Sequence, residues 1–320
     1  MNAFHYFSGK MLRKKSAKYF VCLLTVVFWF SALYAQSGKK PNNSSVQLPA
    51  SQVAALQFLD SLGHLDTSGY WPNVDPGLFL ENLRVFATTP LRFYEGKVTN
   101  FCAYSALTYI PLNYDPEGFS RFMVKLYRDG KATMGKVNFH PGKAVRTEAG
   151  LIRYKGALDI SPAGQMWFLV LADHFKGYLN IFNHRFHKGD ENTLWASTNF
   201  AKFNRMLRRL FPFKVHARGA DIIRPAISKN KIYTYLREKL EEGPVFLYLN
   251  NRLLYKKAHV VARFGIPTHY VLLMDIYEAD NGKLNIVYWD YGRKSLQQVT
   301  PAFLKKIIFG ITWCTIKKTK

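Results

Sequence analysis

Near the C-terminal end of the chain, two apolar runs rich in β-branched and aromatic residues, Thr268-His-Tyr-Val-Leu-Leu-Met-Asp-Ile276 and Leu284-Asn-Ile-Val-Tyr-Trp-Asp290, flank Asp280-Asn281-Gly282. Strand-forming residues on both sides of an Asn-Gly pair predict two antiparallel strands joined by a tight turn. Two further runs join them: Val245-Phe-Leu-Tyr-Leu-Asn250, which follows a helix over Ile232–Leu240 closed by Gly243-Pro244, and Ile311–Ile316. Helical patterns fill most of the first half, so the expected class is α+β, a helical part packed on an antiparallel sheet. The hairpin has a chemical consequence. It brings His269, at the start of one strand, to Asp290, at the end of the other, and a carboxylate beside an imidazole fixes its tautomer and stabilises its cation.

A nucleophile for such a pair lies earlier, in Val98-Thr-Asn-Phe-Cys102-Ala-Tyr-Ser-Ala-Leu-Thr-Tyr-Ile110. Ala103, Ala106, Leu107 and Ile110 recur at the spacing of a buried helical stripe, with Asn100 or Thr99 as the expected cap and Pro111 as the expected end. Cys102 then falls in the first turn, where free backbone N–H groups and the helix dipole favour a thiolate. An isolated cysteine is more often a small apolar packing residue. The order of Cys102, His269 and Asp290, on one helix start and two strand ends, raises the catalytic reading.

Rivals exist within the chain. His259 lies ten positions before His269, but the strand that His269 opens leads directly to Asp290. Asp275 is a poorer partner, because six extended residues separate it from His269 by about 20 Å. His184 and His187 with Asp190 imitate a metal site without further ligands at defined spacing, and read as a solvated loop.

The remaining helices are predicted over Ser51–Leu65, Leu78–Phe86 (short helix or extended), Asp115–Arg128, Gln165–Phe175 and Ser197–Phe211, with loops over Lys131–Ala163 and a short strand over Phe213–Ala217. In Ser197–Phe211 the apolar face is Phe200, Phe203, Met206, Leu207 and Leu210, and the outer basic face is Lys202, Arg205, Arg208 and Arg209.

The N-terminus carries Lys10, Arg13, Lys14, Lys15 and Lys18, then an apolar run from Tyr19 to Ala35 and a polar stretch. This order predicts a signal peptide over 1–35 and a secreted or periplasmic protein, the rival being an uncleaved membrane anchor over 19–35. A flexible linker over 36–50 and one domain over 51–320 follow. Loss of the leader's five cations takes the net charge from +24 to +19. So basic a chain suits an acidic surface such as a membrane, a cell-wall polymer or an acidic protein, and no nucleic-acid motif accompanies the charge. Beyond the leader only Cys102 and Cys314 remain, which excludes a disulfide framework, although a single bridge between them is an open alternative. Cys314, in a strand-like run, reads as packing.

Four stretches resemble the papain-like cysteine peptidase superfamily, closest to its bacteriocin-processing-peptidase-like bacterial branch: Asn100-Phe-Cys102-Ala-Tyr, Leu240-Glu-Glu-Gly243-Pro244-Val245-Phe, Thr268-His269-Tyr-Val-Leu-Leu and Trp289-Asp290-Tyr-Gly292. The resemblance covers residues 95–315 and implies a papain-like α+β fold with a cleft between helical part and sheet. It implies Cys102 as nucleophile, His269 as general base and acid, and Asp290 as the residue orienting it, cleaving a peptide or amide bond through a thioester without metal or organic cofactor. Two departures stand out. Members supply an oxyanion-hole glutamine about six residues before the cysteine, where this chain has Gly96, leaving Asn100 as the candidate donor. The 167 positions from Cys102 to His269 also imply insertions. The alternatives are a non-catalytic papain-like binding or effector module recognising an acidic surface, and a transglutaminase-type acyl transferase.

Overall fold

A computed structural model of the chain describes residues 48–176, 185–251 and 267–316. The predicted leader, most of the linker, His184 and His259 lie outside the described residues. All the elements below belong to one unit that begins at Leu48.

The first half is helical: α1 (Ala50–Ser61), α2 (Pro76–Thr88), α3 (Cys102–Tyr114) and α4 (Pro116–Asp129). Asp75 and Asp115 cap α2 and α4 by accepting from the N–H of Leu78 and Gly118, with proline at the first helical position, where no N–H is needed. Gly130, at φ 67°, ends α4 in the left-handed conformation glycine adopts without strain. Then come the hairpin β1 (Ala132–Met134) and β2 (Val137–Phe139), the short α5 (Lys143–Glu148) and α6 (Pro162–His174). The second half runs α7 (Phe200–Leu210), β3 (Phe213–Gly219), α8 (Ile232–Glu242), β4 (Val245–Leu249), β5 (His269–Glu278), β6 (Leu284–Asp290), β7 (Arg293–Val299), α9 (Pro301–Ile307) and β8 (Ile308–Ile316). The architecture is mixed α+β.

Six strands form one antiparallel sheet in the order β3-β8-β4-β5-β6-β7. Its middle is buried on both faces. Phe246 and Tyr248 of β4, with Tyr270 and Leu272 of β5, join the core of α1–α7, while Val245, Leu247, Val271 and Leu273 pack under α8 and α9. This two-sided burial is why β4 is continuously apolar rather than alternating. The layers are thus a helical body, the sheet and a thin cover of two helices, with α3 packed against β5 and β6. Among the described residues no helix is long and apolar enough to cross a membrane.

Several expectations need correction. Helix α1 stops at Ser61, short of Leu65, and α2 is fully helical. Pro111 does not end the cysteine helix, which continues to Tyr114. The hydrogen bond a proline forfeits is outweighed here by burial of Ile110, Pro111 and Leu112 against the core. The stretch 131–163 holds a hairpin and a short helix, and the edge strand β7 and helix α9 form where the pattern predicts neither. Cys102 and Cys314 are both free thiols, so no bridge consumes either.

Lys202 is the largest reversal. Arg205, Arg208 and Arg209 face solvent as the periodicity requires, but Lys202 is 2 % exposed. Its Nζ donates to Tyr104 Oη of α3 at 2.8 Å and to the Ser197 carbonyl at 3.0 Å. The first turn of α7 is capped by Asn199 at the Lys202 N–H, and within it Phe200, Lys202 and Phe203 are buried while Ala201 stays exposed. Burial first, and Arg205 second, pull the ammonium pKa down to about 7.

Candidate active site

The loop before α3 is held by its backbone. Val98 N–H donates to the Lys155 carbonyl at 3.0 Å and Asn100 N–H to the Glu191 carbonyl at 2.8 Å. Gly96, at φ 80°, sits so close to Ile160 and Lys155 that a Cβ there would meet both at 3.0–3.1 Å. A glutamine there would be strained by the positive φ and would need Ile160 or Lys155 to give way by a few tenths of an ångström. Neither Asn100 nor Thr99 caps the helix as expected. The cap residue is Phe101, which offers no side-chain acceptor, while Thr99 Oγ1 donates to the Glu95 carbonyl at 2.6 Å and Asn100 Nδ2 to that of Thr193 at 2.8 Å. Phe101 instead buries its ring beside Phe168, which fixes where the helix begins. Cys102 is the first residue of α3 and is half-buried.

The hairpin of β5 and β6 closes through Ala279–Lys283, with Gly282 at φ 69°. It brings His269 Nε2 to 2.6 Å from Asp290 Oδ1, with both side chains buried. Cys102 is close enough to the same imidazole for its sulfur to act on the charge there. With Nε2 turned to Asp290, Nδ1 is the nitrogen left to face the thiol. Burial alone would lower the imidazole pKa, but the Asp290 carboxylate and then the Cys102 sulfur outweigh it and hold His269 well above its ordinary value. Tyr291, at φ 49°, stacks its ring on His269 with centroids 5.0 Å apart and planes 23° from parallel. A tyrosine in the left-handed region is strained. Here the strain coincides with a lid over the imidazole.

Glu95 was not anticipated from the sequence. It is 2 % exposed, it accepts from Ser105 Oγ of α3 at 3.1 Å, and its carboxyl lies with the ligand atoms of His269 and Asp290 inside one 4.8 Å cluster. Burial, and then the Asp290 charge, push its pKa up to about 8. In sequence Glu95 stands next to Gly96, the position at which the resemblance implies a glutamine. His269 and Asp290 already engage each other at 2.6 Å, so we read the cluster as a buried acid–base group with Glu95 alongside that pair.

A cavity of about 470 Å³ opens at Cys102, lined among others by Asn100, Ser197, Thr198, Tyr248 and Tyr270. Asn100 thus borders the space a substrate would fill. One of its two amide hydrogens is spent on Thr193, leaving a second as a donor. A cleft of about 600 Å³, lined by Ile110, Tyr114, Phe119 and Phe122, lies at the far end of α3 and holds none of the candidate residues. Of the metal-like histidine motif, His187 is exposed and Asp190 is engaged in the loop, accepting from the His187 N–H at 2.7 Å. Asp275 pairs with Arg237 at 2.8 Å, away from His269.

The structure therefore brings Cys102, His269 and Asp290 together, sets Asn100 beside them and adds Glu95. No protein-family model matches the chain, and neither a curated protein nor a solved structure is similar to it.

Proposed function

We propose that the chain is a papain-like cysteine hydrolase, a peptidase or amidase, exported by its leader. The observation that carries this reading is the assembly of the Cys102 thiol, the His269 imidazole and the Asp290 carboxylate hydrogen-bonded to it, from a helix start and two strand ends. Support for the papain-like arrangement comes from the placement of the thiol on a helix that packs on the sheet supplying the base.

His269 takes the Cys102 proton at Nδ1, and Asp290, accepting the Nε2 hydrogen, stabilises the imidazolium. The thiolate attacks the carbonyl carbon of the scissile amide. The oxygen of the tetrahedral intermediate receives the Cys102 backbone N–H and the second Asn100 amide hydrogen. His269 returns its proton to the leaving amine, giving a thioester. Water activated by His269 then hydrolyses it and frees the thiol. The substrate is a peptide or amide, and the excess of positive charge suits one presented on an acidic surface.

The test is alkylation of the full chain by iodoacetamide across about pH 5 to 9. Reaction of Cys102 at pH values where free cysteine is inert, abolished by Cys102→Ala, supports the hydrolase. Ordinary thiol behaviour sinks it and leaves the non-catalytic module. Amine incorporation in place of hydrolysis identifies an acyl transferase.

A further inference from the structure

The buried carboxyl of Glu95 has no part in the three-residue mechanism, yet it lies inside the same cluster as His269 and Asp290. We propose that Glu95 is a fourth, positioning member of this site, a proton-bearing carboxyl that keeps Asp290 ionised and turned toward His269 Nε2. The inference rests on the cysteine-hydrolase reading.

The geometry carries it. Ligand atoms of Glu95, His269 and Asp290 all lie within 4.8 Å of one another, and the three residues are between 2 and 3 % exposed. Two carboxylates in so dry a space are not both ionised near neutral pH. Asp290, hydrogen-bonded to the imidazole at 2.6 Å, is the one whose charge is compensated. Glu95 has a hydroxyl instead, Ser105 Oγ at 3.1 Å, so the shared proton belongs on Glu95. The other groups acting on it are the Asp290 and His269 charges, from the ends of β6 and β5, and its own backbone. Tyr291 also faces the cluster. Lys155, which packs on the adjoining Gly96, is paired with Glu191 at 2.9 Å.

The position has a consequence for catalysis. While Glu95 holds its proton, the imidazolium faces one negative charge, and the site works as a simple triad. When alkali removes that proton, a second negative charge appears beside His269 and delays loss of the imidazolium proton. Glu95 thereby extends the active ion pair toward higher pH.

The experiment measures the rate of Cys102 carboxymethylation by iodoacetate in the full chain from about pH 4 to 11. This anionic probe is drawn to a thiolate–imidazolium pair, so its rate rises as the pair forms and falls when His269 loses its proton. In Glu95→Gln the alkaline fall moves down by about one pH unit relative to wild type, since no second charge forms. Ser105→Ala, which removes a donor favouring the ionised carboxyl, moves the fall in the same direction by less. It also serves if Glu95→Gln does not fold. Superimposable alkaline limbs in wild type and both variants overturn the proposal while the hydrolase reading stands. A loss of more than about tenfold at neutral pH in a folded Glu95→Gln also overturns it, because the charged form would then be the one required. A single rising limb in wild type, as for an ordinary thiol, overturns both.

Discussion

Replacing Lys202 by methionine tests the most unusual electrostatic feature of the fold. The unfolded chain holds the lysine proton up to about pH 10.5, the folded chain only to about 7. Below about pH 7 the full cost of this burial is present, and it is recovered as pH rises toward the unfolded value. A shift of this size corresponds to about 5 kcal/mol. Methionine has a similar length and no charge, but it forfeits two hydrogen bonds, to Tyr104 Oη and the Ser197 carbonyl, worth about 1 kcal/mol each. Lys202→Met should therefore be more stable than wild type by about 3 kcal/mol at pH 7 and less stable by about 2 kcal/mol above pH 10.5, with a crossover near pH 9. Urea unfolding of both proteins at intervals across this range measures the difference, in which groups common to both, Glu95 included, cancel. A difference that does not vary with pH would show that Lys202 is solvated in the native state. It would return to the outer face that helical periodicity assigns it.

Three other outcomes follow from the site. Asp290→Asn should keep the fold and part of the activity, because its side-chain oxygen still accepts from Nε2. Asp290→Ala should lower kcat by about 10³-fold or more and, since the residue is buried, cost about 3 kcal/mol of stability, read from kcat/KM and urea unfolding side by side. A residue with only a structural role would lower stability in both variants and leave kcat unchanged. Tyr291→Gly should leave the unfolding midpoint nearly unchanged, because relief of strain at φ 49° offsets the lost stacking, while exposing His269 to water and slowing Cys102 alkylation by about tenfold. An unaltered rate would show that the ring does not shield the imidazole. Cys314, buried with its thiol pushed up to about 12, should stay unlabelled by iodoacetamide in the native protein and react once the chain is unfolded, as peptide mass analysis reads directly. Native labelling equal to that of Cys102 would contradict its burial.

Local chemistry was enough for much of the fold, for the pairing of His269 with Asp290 and for the place of Cys102 at a helix start. Asp280-Asn281-Gly282 between two β-rich runs sets the hairpin, and strand period then carries His269 and Asp290 to the same end of it. The helix start at Cys102 was legible from the apolar stripe that follows. Packing between elements distant in the chain decided the rest. Pro111 stays helical because its neighbours are buried, and β7 is polar on most of its length, so its strand character comes from the partner β6. Whether Asn100 caps α3 or bonds Thr193 depends on where residues 191–193 return to the loop. Lys202 and Glu95 make the same point most sharply. Periodicity says which residues share a face of an element, but only the assembled layers say whether that face meets water. A charge placed there by the chain keeps it or gives it up according to the burial and neighbours that the tertiary structure supplies.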